Sequence, residues 1–539
     1  MRRLWWCLFL LGLPMGNLSA SELSLSSEID RLIHANGQPE KFASAANDEE
    51  FLRRVYLDLA GRIPTHNETA TFLNEKSPQK REKLIDDLLA GPDFPRQMAE
   101  RLNIWLMERR GENDEWKKFL RSACEENQSW GEIVRRIIKP DDSNETTRGA
   151  AFFITQRLVS RGAMAPIDVP GLTRDVGRLF AGVDWQCAQC HDHLTVDDYY
   201  QEDFQGLHTI FEKVATRRGS KFPAIDEILM SAPQEFMSVF IQEPRTTPPR
   251  VPGGSEIPIP EFPKGEEYEV APDRKKRIVG VPKFSPLREL ANGLTTTENK
   301  LFSRNMANRL WWMMTGRGLV EPLDLHHTGN PATHPELLDL LASEFAAHNF
   351  DIKWLLREIG RSNTYQRSSQ LPDESETPAP YEFASEKRLS AEQLFWSVLI
   401  ATKEFDRLAE PGQSIEDVVA ASKDLQTLRE TFVDTFANPP TEPEIDFEPS
   451  VKAALYLMNG DGVHKLIAPK DGNLTHQLAK RSDAELTDEL FLAILVRRPT
   501  DEERKDVQSY LAENEVRRES AIQNLIWALV SGTEFCLNH

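Results

Sequence analysis

Cysteine is scarce in this chain: five in 539 residues, one of which, Cys7, lies in the N-terminal apolar run. So few cannot form a disulfide-built scaffold. Positive charge is also short, with 64 Lys and Arg against 85 Asp and Glu and a net charge of -21. Such a surface repels a phosphate backbone, which excludes nucleic acid as a partner. The basic clusters RRGSK and DRKKR are short, sit in loop-like sequence and read as solvated charge. Beyond the N-terminus no segment approaches the roughly 18 uninterrupted apolar residues of a membrane helix, so the mature chain has no transmembrane segment. Missing too are a Ser-His-Asp order, a Walker loop and a G-x-G-x-x-G fingerprint. Whether the chain is an enzyme is left open by these absences.

What is present starts with MRRLWWCLFLLGLPMGNLSA: two arginines, an apolar stretch from Leu4 to Met15, then small polar residues to Ala20. This is the layout of a secretory signal peptide over 1–20, and it predicts export to the periplasm, the cell surface or the medium. Cys124, Cys187, Cys190 and Cys536 are left in the mature chain. Cysteine then serves one local purpose, at Cys187 and Cys190.

Most of the remainder reads as helix. Thr65-His66-Asn67-Glu68, Thr333-His334-Pro335-Glu336, Ser390-Ala391-Glu392-Gln393 and Thr500-Asp501-Glu502-Glu503 each fit the capping box, and apolar residues at helical spacing follow. VYLDLAGRIPTHNE (55–68) and LFLAILVRRPTDEE (490–503) align without gaps on R-x-P-T-x-x-E. Shared turn chemistry explains that match as well as an internal repeat does. Between 216 and 285 proline and glycine are too dense for helix, and the alternation in EIPIPEF permits edge strands. The expected fold is mainly α: a helical domain over 21–215, a Pro/Gly-rich, partly β connector over 216–285, and a second helical domain over 286–539.

The densest chemistry is CAQCHDH. Cys187 and Cys190 are three apart, and His191 follows directly. Two thiols so placed can add to the two vinyl groups of one haem, with the next imidazole as axial iron ligand. Chance produces C-x-x-C-H roughly once in a thousand chains of this length. A thiolate and imidazole cluster of Cys187, Cys190, His191 and His193 can instead bind zinc or another transition metal. In an oxidising compartment the two cysteines can simply close a disulfide. For a sixth haem ligand the nearest candidates are Met164, His193 and His208, and the remote ones are His326, His327 and Met313. Arg174 and Arg178 precede the motif at helical spacing, as propionate partners or as ion-paired helix surface. Asp197, Asp198, Glu202 and Asp203 follow it, as a cation site or a solvated acidic loop.

Elsewhere, RNMANRLWWMMTGRGLVEPLD reads first as a buried helix ended by Gly316 and Gly318. Arg304, Arg309 and Arg317 can otherwise line an anionic site, and Trp311 and Trp312 can stack on a sugar. HHTGNPATH holds three histidines without diagnostic metal spacing.

FLRRVYLDLAGRIPT, KREKLIDDLLAGPDF and CAQCHDH together resemble the N-terminal domain of the planctomycete secreted cytochrome-associated proteins. NKLFSRNMANRLWWMMTGRGLVEPLD, DIKWLLREIGRSNTYQRSS, KRLSAEQLFWSVLIAT and LIWALVSGTEFCLNH resemble its C-terminal companion domain. The resemblance covers nearly all the mature chain except the connector. It implies two domains of unknown function, with CAQCHDH carried onto Cys187, Cys190, His191 and His193. Relatives commonly continue with proline or lysine, phenylalanine and aspartate, where this chain has LTVDD. A link to polysaccharide breakdown is implied only by association. Three readings remain. One is an exported haem c protein acting with a redox partner protein. The second is a zinc-dependent enzyme, for instance a polysaccharide hydrolase. The third is a scaffold locked by a disulfide.

Overall fold

A computed structural model describes residues 24–37, 41–158, 167–273, 275, 278–370, 378–443, 452–453, 455–456 and 460–539. The expected signal peptide and Met164 lie outside the described residues. The fold is mainly helical with only small sheets. No described helix is long and apolar enough to cross a membrane.

Helix starts follow their caps. Thr65, Ser390 and Thr500 each accept from the backbone three residues on, and Glu68, Gln393 and Glu503 reach back. Thr333 does not cap. Its N–H and hydroxyl both donate to Leu319 O, and Pro335 takes the first helical position, so His334 is the N-cap of helix Pro335–Ala347. Pro335 has no N–H to satisfy, which is why an uncapped start is tolerated there. Helix Lys300–Thr315 ends at Gly316, whose φ of 78° is left-handed.

The two R-x-P-T-x-x-E turns are built alike. Arg62 holds Glu68 through both guanidinium nitrogens (2.8 and 2.9 Å) and Arg497 holds Glu503 likewise (2.9 and 2.7 Å). The residue before each arginine is left-handed: Gly61 at φ 67° and Val496 at φ 62°. The shared motif therefore encodes one rigid turn, with an ion pair bracing the cap.

The strands of 214–282 form three antiparallel two-stranded ribbons: β1 (Val214–Thr216) with β2 (Ile225–Glu227), β3 (Gln234–Met237) with β4 (Pro244–Thr247), and β5 (Tyr268–Val270) with β6 (Val281–Pro282). A fourth pairs β7 (Lys387–Arg388) with β8 (Leu537–Asn538). One hydrophobic core runs from Leu25 to Phe535 and joins helices from both ends of the chain. Long-range arginines reinforce it: buried Arg53 donates to the carbonyls of Ile494, Phe535 and Leu537, and buried Arg54 to those of Tyr365 and Arg367. A network of Arg110, Arg157, Arg178 and Arg309 with Glu108, Asp175 and Asp324 lies behind the CAQCH segment. Burial alone would raise the Asp175 carboxyl, but Arg157, Arg178 and Arg110 bring it down to about 2.

Candidate functional site

Helix Val169–Val176 runs into a π-turn, Gly177–Ala181, closed by left-handed Gly182 at φ 71°. A Cβ on Gly182 would lie 2.6 Å from the His326 ring and 3.1 Å from Asn305 Oδ1, so glycine serves both conformation and close approach. Trp185 and Ala188 are buried and fix the next turn, the 3₁₀ segment Cys187–Gln189. The residues between and beyond them face outward. Cys187 and Cys190 are exposed free thiols on this one turn. Arg174 bonds Gln189 beside them.

The two histidines of CHDH differ in what they offer. His191 Nδ1 lies 2.7 Å from the Asp192 carbonyl, so it carries the proton and leaves Nε2 with the lone pair. His193 Nδ1 receives two backbone N–H groups, from Thr195 (3.2 Å) and Val196 (3.0 Å), so it accepts and the neutral ring's proton sits on Nε2. The two rings of Cys187-Ala188-Gln189-Cys190-His191-Asp192-His193 thus present different nitrogens. Among the described residues no group of three or more His, Cys, Asp or Glu is gathered to hold a metal ion.

The surface around His191 is apolar. The Phe240 ring lies 4.6 Å from the His191 ring, and Val239 N–H donates to Cys190 O (3.1 Å). Leu194, Met237, Val239, Phe240 and Ile241 are each more than half exposed. Of these exposed apolar side chains, Phe240 packs directly on the His191 ring.

The C-terminal half reaches this loop. Val183 pairs with Leu325 across an isolated bridge, and His326 N–H donates to Gly182 O (2.9 Å). The Tyr199 hydroxyl donates to His326 O (3.2 Å), and Asp198 accepts from Thr328 N–H (2.7 Å). The rings of His193 and His327 both meet Tyr199 edge-on, at 6.1 and 5.4 Å. Of the remote histidines, His327 thus stands beside the motif. His326 is buried against Gly182, and burial pushes its ring down to about 4.

Other candidates have different work. His208 stacks on Phe204, and Met313 is buried in helix Lys300–Thr315 with its carbonyl bonded to Lys387. Arg178 and Arg309 belong to the internal ion network, while Arg304 pairs with Asp339 and Arg317 with Glu321. In the acidic run, Glu202 and Asp203 pair with Arg250, and Asp198 accepts from Thr328. Trp311 is fully buried.

Sequence reasoning missed a cavity of about 1430 Å³, none of whose lining residues belongs to CAQCH. Glu100, Arg109, Glu392, Trp396 and Arg429 line it. Burial would raise Glu392, but the Arg109 guanidinium beside it holds it at about 2. No spacing in the sequence could have flagged residues drawn from such separate helices.

Residues 28–216 match the family model PSCyt2, a protein of unknown function (DUF1549), and residues 288–511 match PSD1, a protein of unknown function (DUF1553). The chain pairs these two domains, both known as planctomycete cytochrome-associated families. CAQCH falls inside the PSCyt2 domain, and the 216–285 segment lies almost wholly between the two. No curated protein and no solved structure matches the chain.

Proposed function

We propose that the PSCyt2 domain carries one covalent c-type haem, with Cys187 and Cys190 as thioether anchors and His191 Nε2 as the axial ligand, in an exported electron-transfer protein. The observation that carries this reading is the pairing of two exposed free thiols on one turn with a His191 ring whose Nδ1 is tied to the Asp192 carbonyl. Each thiol would add its S–H across one vinyl group, forming a C–S and a C–H bond with no net redox change. The Asp192 carbonyl keeps Nε2 as the electron-donating nitrogen. The exposed strip of Leu194, Met237, Val239, Phe240 and Ile241 supplies an apolar surface for a macrocycle. Arg174 stands beside Gln189 as a cation for a carboxylate edge. When bound, the haem would supply one-electron chemistry to a redox partner protein. The leader-like N-terminus supports export, the setting in which such attachment occurs.

The test is a pyridine haemochrome spectrum of protein exported from a host with cytochrome c maturation machinery, after denaturation and acid-acetone extraction. About one haem per chain should stay with the polypeptide. Cys187→Ala/Cys190→Ala should lose it, and His191→Ala should shift the spectrum. Haem-free protein from a maturing host would overturn the proposal, and metal analysis would then decide between zinc and neither.

A further inference from the structure

Asp192 does two things at once beside the CAQCH turn. Its carboxylate Oδ1 accepts from Gln201 N–H at 2.8 Å, the first backbone donor of helix Gln201–Phe211. Tyr200, the N-cap of that helix, makes no side-chain cap, so the carboxylate supplies the acceptor from outside. Negative charge there is favoured by the positive end of the helix dipole. Asp192 Oδ2 lies 4.0 Å from Arg245 of β4, which donates to Glu202 in the helix's first turn (3.1 Å). The main chain of the same residue meets the motif: its carbonyl accepts from His191 Nδ1 at 2.7 Å.

The peptide that carries this carbonyl is held at two points. His193 N–H, in the same peptide unit, donates to Tyr199 O (2.9 Å), and the Asp192 side chain grips Gln201. One such bond leaves a peptide free to swing about it, and the second removes that freedom. Of the two, the side-chain bond can be deleted by substitution. The Asp192 side chain is 49% exposed, so its loss opens no core. His193 needs no such help, because its Nδ1 receives N–H groups from its own turn.

We propose that the Asp192 side chain is a positioning residue for His191. By capping helix Gln201–Phe211 it fixes the carbonyl that keeps the proton on His191 Nδ1, and so leaves Nε2 free as a ligand. The redox consequence rests on the haem reading above, whereas the tautomer belongs to the haem-free chain as well. Asparagine at 192 keeps an acceptor oxygen and is a good capping residue, and alanine offers neither.

The experiment is long-range ¹⁵N–¹H NMR on the haem-free full chain with ¹⁵N-histidine, at alkaline pH where imidazoles are neutral. His191→Gln and His193→Gln assign the two rings. In wild type His191 should carry its proton on Nδ1 and His193 on Nε2. Asp192→Ala should move His191 largely to the Nε2–H form, Asp192→Asn should restore the wild-type signal, and His193 should be unchanged in both. In haem-loaded protein Asp192→Ala should raise the reduction potential, since the ligand loses basicity, and Asp192→Asn should not. Should Asp192→Ala not fold, Asp192→Leu, which keeps the volume without the acceptor, carries the same test. Wild-type His191 protonated on Nε2, or an acceptor-free variant with the wild-type tautomer, would overturn the proposal. A wild-type chain that takes up no haem overturns the haem reading alone, because the tautomer is read without haem.

Discussion

His326 should make this protein acid-sensitive in a way that can be isolated. Its ring is buried against Gly182, its Nε2 has no partner, and burial pushes its pKa from the ordinary 6.5 to about 4. The folded state therefore holds the ring neutral where the unfolded chain protonates it. Between those values the unfolded state binds more protons, so stability is full above about pH 6.5 and falls as pH drops towards 4. A gap of about 2.5 pH units at about 1.36 kcal/mol each amounts to roughly 3 kcal/mol. Urea unfolding followed by far-UV circular dichroism, at neutral pH and near pH 4, measures it. Wild type should lose roughly 3 kcal/mol more than His326→Gln across that interval, because carboxylate contributions common to both cancel. Equal losses in the two proteins would refute the argument. They would mean that water or a rearranged loop reaches the ring when it protonates.

Lys387→Met should destabilise by about 3–5 kcal/mol, because it strands a buried Asp58 carboxylate, and Lys387→Met/Asp58→Asn should recover part of that in denaturant melts. Glu392 contributes stability that is present above about pH 4.5 and lost as pH falls through about 2, roughly 3 kcal/mol in all; acid titrations of Glu392→Gln should lack that component. Thr65→Ala and Thr500→Ala should each cost about 1 kcal/mol, since both cap the same braced turn, and a difference of several-fold between them would show that the turns are not equivalent. Gly182→Ala should cost about 2 kcal/mol or more, through a left-handed φ and a Cβ driven against His326, as read from thermal melts.

Helix content was legible because caps and apolar spacing are local signals. Thr65, Ser390 and Thr500 act through backbone atoms within three residues, so they can be read without the rest of the chain. Thr333 misled because its hydroxyl and N–H were claimed by Leu319, a partner set by tertiary packing. The break at 216–285 was visible through proline, which removes donors wherever it stands, and the ribbons there are correspondingly short.

For the site, the sequence by itself determined the CAQCH spacing and hence the chemistry open to Cys187, Cys190 and His191. The structure separated His191 from His193 through contacts within three residues, because which ring nitrogen keeps a lone pair depends on the groups that approach Nδ1. It also brought His327 and Thr328 onto the motif loop, and drew Asp58, Arg101, Lys387 and Asn538 around one cavity. Contacts between residues more than a hundred positions apart leave no periodicity or spacing in the chain. They arise when helices from both ends bury their apolar faces in a common core.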